Sequence, residues 1–252
     1  MRVKAALAGG LALWVLASGA ARAQPVPPPD GWQFSVTPYL WMAGLGGKVT
    51  TKRDRSVSAD QTFGDVLSHL NGAVMLTADA QYRRWVVMAD FDYANLSAKP
   101  GGRSLFIGYS GLSATMYLGT LTGGYRVIDS AEGTLDAMGG LRVMSVNTTF
   151  DASGGLIPGF AVHSGDTWVN PIAALRGKVA LGQGFFLSGY GDIGAGGDND
   201  FTWQMYGGAG YMINPEFSAY LGYRYLEMRH DDHNLTLNLD EQGPLLGVSY
   251  RF

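Results

Sequence analysis

An all-β chain, closed as an up-and-down antiparallel transmembrane β-barrel, is the fold class this sequence predicts, and three observations predict it. Apolar residues recur at every second position along ten separate stretches, the period of a strand with one greasy face. The connections between these stretches alternate between short turns and longer polar loops, as in outer-membrane barrels. An export leader precedes them all: Arg2 and Lys4, an apolar run over residues 5–17, and the small residues Ala21 and Ala23 around Arg22 together build a secretory signal peptide. Ten strands are the expectation, with eight and twelve as the alternatives.

The leader divides the 252 residues into a cleaved signal peptide over 1–23, a Pro-rich segment over 24–31 and the barrel over 32–252. Its apolar run is too short to anchor the chain in a membrane, and no cysteine stands at the cut to carry a lipid. Removing it leaves 15 basic against 21 acidic residues, a formal charge of about −6, which argues against a nucleic-acid partner. Without cysteine there are no disulfides and no thiolate metal sites. Beyond the leader no apolar stretch is long enough for a transmembrane helix, so any passage through a membrane is made by strands.

The first strand is read in "WQFSVTPYLWM", where Trp32, Phe34, Val36, Pro38, Leu40 and Met42 form the greasy row and Tyr39 and Trp41 fall on the other. Residues 44–70 follow as a loop, with a short hairpin in "KVTTKRDRSVSAD" too charged to cross lipid. A one- to two-turn helix closes that loop in "TFGDVLSHL", where Thr62 and Asp65 make a capping box. Val74 to Tyr82 then alternates against Thr77, Asp79 and Gln81, and Trp85 to Tyr93 against Asp90 and Asp92. The next row, Tyr117, Leu121, Tyr125 and Val127, is the least regular, because Met116 and Leu118 fall among the polar positions with Arg126.

The second half alternates more regularly. Leu135, Ala137, Leu141 and Val143 oppose Asp136 and Arg142; Val169, Ala173, Leu175 and Val179 oppose Asn170, Arg176 and Lys178. Phe185, Leu187 and Ile193 oppose Ser188 and Asp192, the row from Phe201 to Ile213 opposes Gln204 and Tyr206, and the row from Phe217 to Tyr225 opposes Arg224. The last strand sets Leu246, Val248, Tyr250 and Phe252 against Ser249 and Arg251; Leu235, Leu237 and Leu239 are out of phase with it, which predicts a bulge within residues 241–244. The short connections are "YRRW", "DSAEG", "LGQG" and "NPE". The longer ones are 44–70, 98–112, 151–167, "GGDND" and "RHDDHN".

Asp79, Asp90, Asp92, Arg126, Asp136, Arg142, Arg176, Lys178, Asp192, Arg224 and Arg251 all stand on the non-greasy rows. In a barrel set in lipid those rows face the lumen. The near balance of acids and bases predicts a charge-paired network, because a buried unpaired charge is costly.

The stretches "SVTPYLWMAGLGGKV", "DVLSHL", "WVNPIAALRGK" and "GPLLGVSYRF" resemble those of a family of proteobacterial outer-membrane β-barrel proteins grouped with OmpA-like small barrels. The resemblance implies that Leu246, Val248, Tyr250 and Phe252 form the C-terminal signal read by the barrel-assembly machinery. It describes architecture and names no reaction.

The functional expectation is an outer-membrane barrel of a Gram-negative bacterium with a structural or interaction role, its lumen largely filled by the charge network, in contact with outer-membrane lipid. A narrow porin-like channel for small polar solutes is the alternative, with an acidic wall facing a basic one. An enzyme sited at the rim is the third reading: His69, His163, His230 and His233 all fall in the predicted loops, and "HDDH" over 230–233 has the letters of an acid-base or metal cluster. Adjacent acids and histidines in a loop are more often solvated, so no catalytic, metal or cofactor residue is assigned. "GYGDIG" over 189–194 matches a dinucleotide fingerprint only in its letters, since no βαβ unit surrounds it.

Overall fold

The computed structural model describes residues 31–51, 56–98, 109–153, 160–197, 200–232 and 235–252. The expected signal peptide, nearly all of the Pro-rich segment, and His233 lie outside them. The elements in order are β1 (Trp32–Trp41), β2 (Gly44–Thr51), β3 (Ser56–Gln61), α1 (Phe63–His69), β4 (Leu70–Tyr82), β5 (Trp85–Ala98) and β6 (Tyr109–Asp129). They continue with β7 (Gly133–Ser153), β8 (Phe160–Gly182), β9 (Phe185–Ala195), β10 (Phe201–Met212), β11 (Phe217–Asp232) and β12 (Leu235–Arg251).

β4 to β12 pair in sequence order, and β1 pairs with both β4 and β12, so ten strands close into an antiparallel barrel. The seam runs from Ser35 opposite Arg251 to Trp41 opposite Leu245. Beyond it the register runs on without a shift, and β2 takes over as the neighbour of β12, with Gly44 opposite Gln242 and Thr51 opposite Leu235. The β2–β3 hairpin therefore stands above the ring, outside the ten, and α1 follows it behind the expected capping box of Thr62 and Asp65.

The greasy rows face outward: Leu121, Leu175, Ile193, Leu221 and Leu246 are each half-exposed or more on the outer wall. Aromatic pairs bound that band at both edges. Trp32–Tyr82, Trp85–Tyr125, Phe185–Tyr211 and Phe217–Tyr250 lie at the short-turn end, and Tyr93–Tyr117 and Trp203–Tyr225 at the loop end. Rings that are apolar with a polar tip favour the two interfaces of a bilayer. The turns are tight: Arg83 takes a left-handed φ of 53° between the paired residues Tyr82 and Trp85.

Three expectations are corrected. The β11–β12 register is unbroken from Phe217 opposite Tyr250 to Asp232 opposite Leu235, so no bulge reconciles the out-of-phase leucines; Leu237 and Leu239 are buried inside the barrel. Register shifts occur instead at Leu70/Gly72, Arg126/Ile128 and Ala180/Gly182. Residues 109–112, 151–153 and 160–167, read as loop, are strand. Above the lipid band a strand needs no greasy row, so rows of Ser, Thr, Asn and Asp continue the ladder in water. Finally, His163 and His230 lie on β8 and β11 rather than in loops, and His69 ends α1.

Phe252 and Phe34 exchange backbone hydrogen bonds at 3.3 and 3.0 Å, and their rings stack at 5.9 Å. Deleting Phe252 removes the last rung of the seam and the last aromatic of the closing strand. Such a truncation is expected to lower the yield of heat-modifiable barrel in cells several-fold. The barrels that do form should unfold within about 2 kcal/mol of the full chain. Normal assembly in pulse-labelled cells would contradict this.

Candidate functional site

The lumen is built in layers along the barrel axis, and the cross-strand register decides what each layer contains. Nearest the short-turn end, Asp136 on β7 lies opposite Arg126 on β6 and Arg176 on β8, one acid between two bases. Arg126 donates to Asp136 at 2.7 Å and to Gln81 at 3.0 Å, and Arg176 donates to Asp136 at 2.9 Å and to Asp79. Lys178 and Arg251 share this layer. Neither has a carboxylate within 4.0 Å among the described residues, and the Lys178 ammonium sits 3.8 Å over the ring of Phe186.

The middle layer is deeply buried. Arg142 is fully buried; it donates to both oxygens of Asp192 at 2.9 and 2.5 Å, to Thr202 at 2.9 Å and to Thr120 at 3.2 Å. Across the bore Arg224 donates to Gln204 at 2.8 Å, to the Tyr39 hydroxyl at 2.9 Å and to Asp90 at 3.2 Å. Its guanidinium lies 3.1 Å from Asp92 Oδ2 and 4.4 Å over the Trp41 ring. The Tyr39 hydroxyl also stands 2.6 Å from Asp92 and 2.9 Å from Asp90, and Thr77 donates to Asp90 at 2.7 Å. Each buried arginine thus has its charge matched and most of its five donors used.

Above this lies an apolar layer. Trp41, Leu118, Met144, Trp168, Leu226 and Leu239, drawn from β1, β6, β7, β8, β11 and β12, pack into one buried cluster across the bore. Glycines on the inner wall make room for inward aromatics below it: a Cβ at Gly210 would strike the Phe186 ring, and one at Gly222 the Tyr206 ring.

At the loop end, where the outward residues Glu227, Arg229 and Asp231 are polar, His230 is held between two acids. Its Nδ1 lies 2.7 Å from Asp200, its Nε2 lies 2.9 Å from Asp166, and its ring stacks on Trp168 at 4.4 Å. Burial alone would lower its proton affinity. Hydrogen bonds to Asp166 and Asp200, with their charges, outweigh that and raise its pKa above 6.5. With an acceptor at each ring nitrogen, the imidazolium is the form that satisfies both. His163 faces Thr149 at 3.0 Å in an exposed position, and His69 caps its own helix.

Nine of the eleven lumen charges assigned from sequence are therefore brought into ion pairs, and Lys178 and Arg251 are left outside them. Sequence reasoning missed Tyr39, Gln204, Thr120 and Thr202, which share rows with the charges as their hydrogen-bond partners. It also missed the His230 clamp and the apolar layer, whose signals were the greasy residues out of phase at Trp41, Leu118, Leu237 and Leu239.

No protein-family model matches the chain, and no curated protein sequence matches it. Among solved structures it is similar to the outer membrane protease OmpT from Escherichia coli, at 11% identity over 91% of this chain and 99% of that one, with a TM-score of 0.57. It is also similar to the translocator domain of the autotransporter NalP from Neisseria meningitidis, at 14% identity over 97% of this chain and 95% of that one, with a TM-score of 0.47. At such identity the likeness to OmpT is one of architecture: the chain shares with that protein a closed antiparallel barrel.

Proposed function

We propose that this chain is a non-conducting outer-membrane β-barrel of a Gram-negative envelope, with a structural or interaction role carried by its loop end. The first and last described residues, Gly31 and Phe252, and the short turns share one end, which is the periplasmic end in such barrels. The lipid-facing row of Leu246, Val248, Tyr250 and Phe252 is the segment offered to the barrel-assembly machinery.

The observation that carries the reading is the pair of stacked barriers in the bore. A solute would have to part the buried Arg142–Asp192 and Arg224–Asp90–Asp92 groups, and then cross the apolar layer between Trp41 and Leu226. Interiors of barrels this small are commonly filled by side chains. The acids and bases are spent on one another: Arg126, Asp136 and Arg176 interleave across neighbouring strands, and Arg224 and Arg176 reach over the bore to Asp90 and Asp79, so no pair of open, oppositely charged walls is left for a selective channel.

The His230 group supports a structural reading over an enzymatic one. A general base needs a ring nitrogen free to accept a proton, and both nitrogens of His230 already face carboxylates. The clamp ties β8, the β9–β10 connection and β11 together at the rim.

Purified protein in planar bilayers should give no steady single-channel current; reproducible unitary currents would overturn the sealed lumen. Arg142→Leu should destabilise the barrel in detergent by about 3–5 kcal/mol, because Asp192 is left buried and alone. The double variant Arg142→Leu/Asp192→Leu should recover much of that loss in the same denaturant titration. His230 should titrate above 6.5 by NMR. Because its folded pKa is raised, the clamp is at full strength below the unfolded value and is lost as pH rises through the folded one. His230→Ala should leave peptide and lipid hydrolysis at the level of a barrel-free control, as the unaltered protein does.

A further inference from the structure

The periplasmic half of the bore is not filled. Two adjoining cavities of about 240 and 220 Å³ lie there, both lined by Asp79, Arg176, Lys178, Ser188 and Arg251, and the larger reaches up to Tyr39, Asp90, Gln204 and Arg224 of the middle layer. Burial falls steadily toward the short-turn end. Thr37, Asp90, Gln204 and Arg224 are buried, Ser35, Gln33, Gln81 and Lys178 are partly exposed, and Arg251 is exposed. The space therefore opens to the water at that end.

Its charge is uneven. Four cations against two carboxylates line the larger cavity, and four against two line the smaller. Arg176 is neutralised by Asp79 and Asp136, and Arg126 by Asp136. The surplus falls on Lys178 and Arg251, which face the same space and have no carboxylate within 4.0 Å among the described residues. Two like charges held in a concavity walled by protein and lipid repel each other more strongly than in open water, and the walls focus their field onto the space between. Such an arrangement is relieved by an anion. The remaining lining suits an oxyanion: Ser188 stands directly across the β8–β9 pair from Lys178, and Ser249 and Ser218 add hydroxyl donors.

We infer that the periplasmic cavity is a binding site for a small phosphate-bearing or comparable dianionic solute, held between Lys178 and Arg251. A free solute is the source that fits. The cavity faces the bore, and lipid headgroups meet the outer wall.

The test uses the full-length folded barrel in zwitterionic detergent at low salt, with inorganic phosphate as the probe in calorimetric titration. Saturable binding at one site is expected, weakened by about tenfold or more in Lys178→Met/Arg251→Gln, since each lost cation removes a charge-assisted hydrogen bond. Ser188→Asp is the second variant. It places a carboxylate opposite Lys178 and should fold at least as well, yet lose phosphate affinity by a similar factor. Arg229→Gln, at the far rim, should leave binding unchanged, which separates a site from general attraction. Heat-modifiable migration checks folding of each variant. Absence of saturable binding to the unaltered protein, or equal affinity in Ser188→Asp, overturns the proposal, and either result stands apart from whether the bore conducts.

Discussion

Closure of the backbone ladder is the constraint on which the rest of this molecule depends. A strand edge set in hydrocarbon leaves N–H and C=O groups with no partner, at several kcal/mol each, so the sheet must return to its first strand. β1 is only ten residues long, whereas β12 has 17. The seam between them therefore covers the lipid-facing height and no more. The loop-end half of β12 would be left bare without β2, which takes its place opposite residues 235–242. The hairpin that reads from sequence as a charged loop is the second half of a wall.

Closing the wall creates an interior out of reach of bulk water, and its chemistry follows from depth. In the middle, where desolvation is greatest, every arginine is matched and forked into carboxylates and hydroxyls. Toward the open turn end water can screen charge, and the pairing relaxes until Lys178 and Arg251 stand without acidic partners. Above the paired layer the chain changes tactic and fills the bore with Trp, Leu and Met. An apolar layer leaves no polar group unsatisfied, and it shields the ion pairs below from competition by water at the loop end.

Alternation of period two was enough to read the ten barrel strands and to set the charged rows inward, because lipid outside and charge inside leave little ambiguity of phase. The same rule hid the apolar layer. Leu118, Leu237 and Leu239 broke the pattern, and a bulge restores phase only if every greasy residue must face lipid; here the bore itself is greasy at one level. The pairing of Arg142 with Asp192, 50 residues away, follows from the closed geometry and cannot be read from either local row. Strand ends were misplaced over residues 151–167 because a strand standing in water carries polar residues on both faces and has no periodic mark. His230 was missed for a related reason: beside Asp231 and Asp232 it looks like solvated loop, and its actual partners, Asp166 and Asp200, come from other parts of the wall.

The long-range ion pairs have a mechanical consequence. Arg224 on β11 reaches Asp90 on β5, and Arg176 on β8 reaches Asp79 on β4, each joining strands that are not neighbours in the ring. A hollow cylinder of hydrogen-bonded strands flattens easily under lateral pressure, because the ladder resists stretching around its circumference far better than bending. Links across the bore act as spokes. They hold opposite walls at fixed separation and keep the cross-section round, so neighbouring lipids and proteins meet a stiff post rather than a compliant tube.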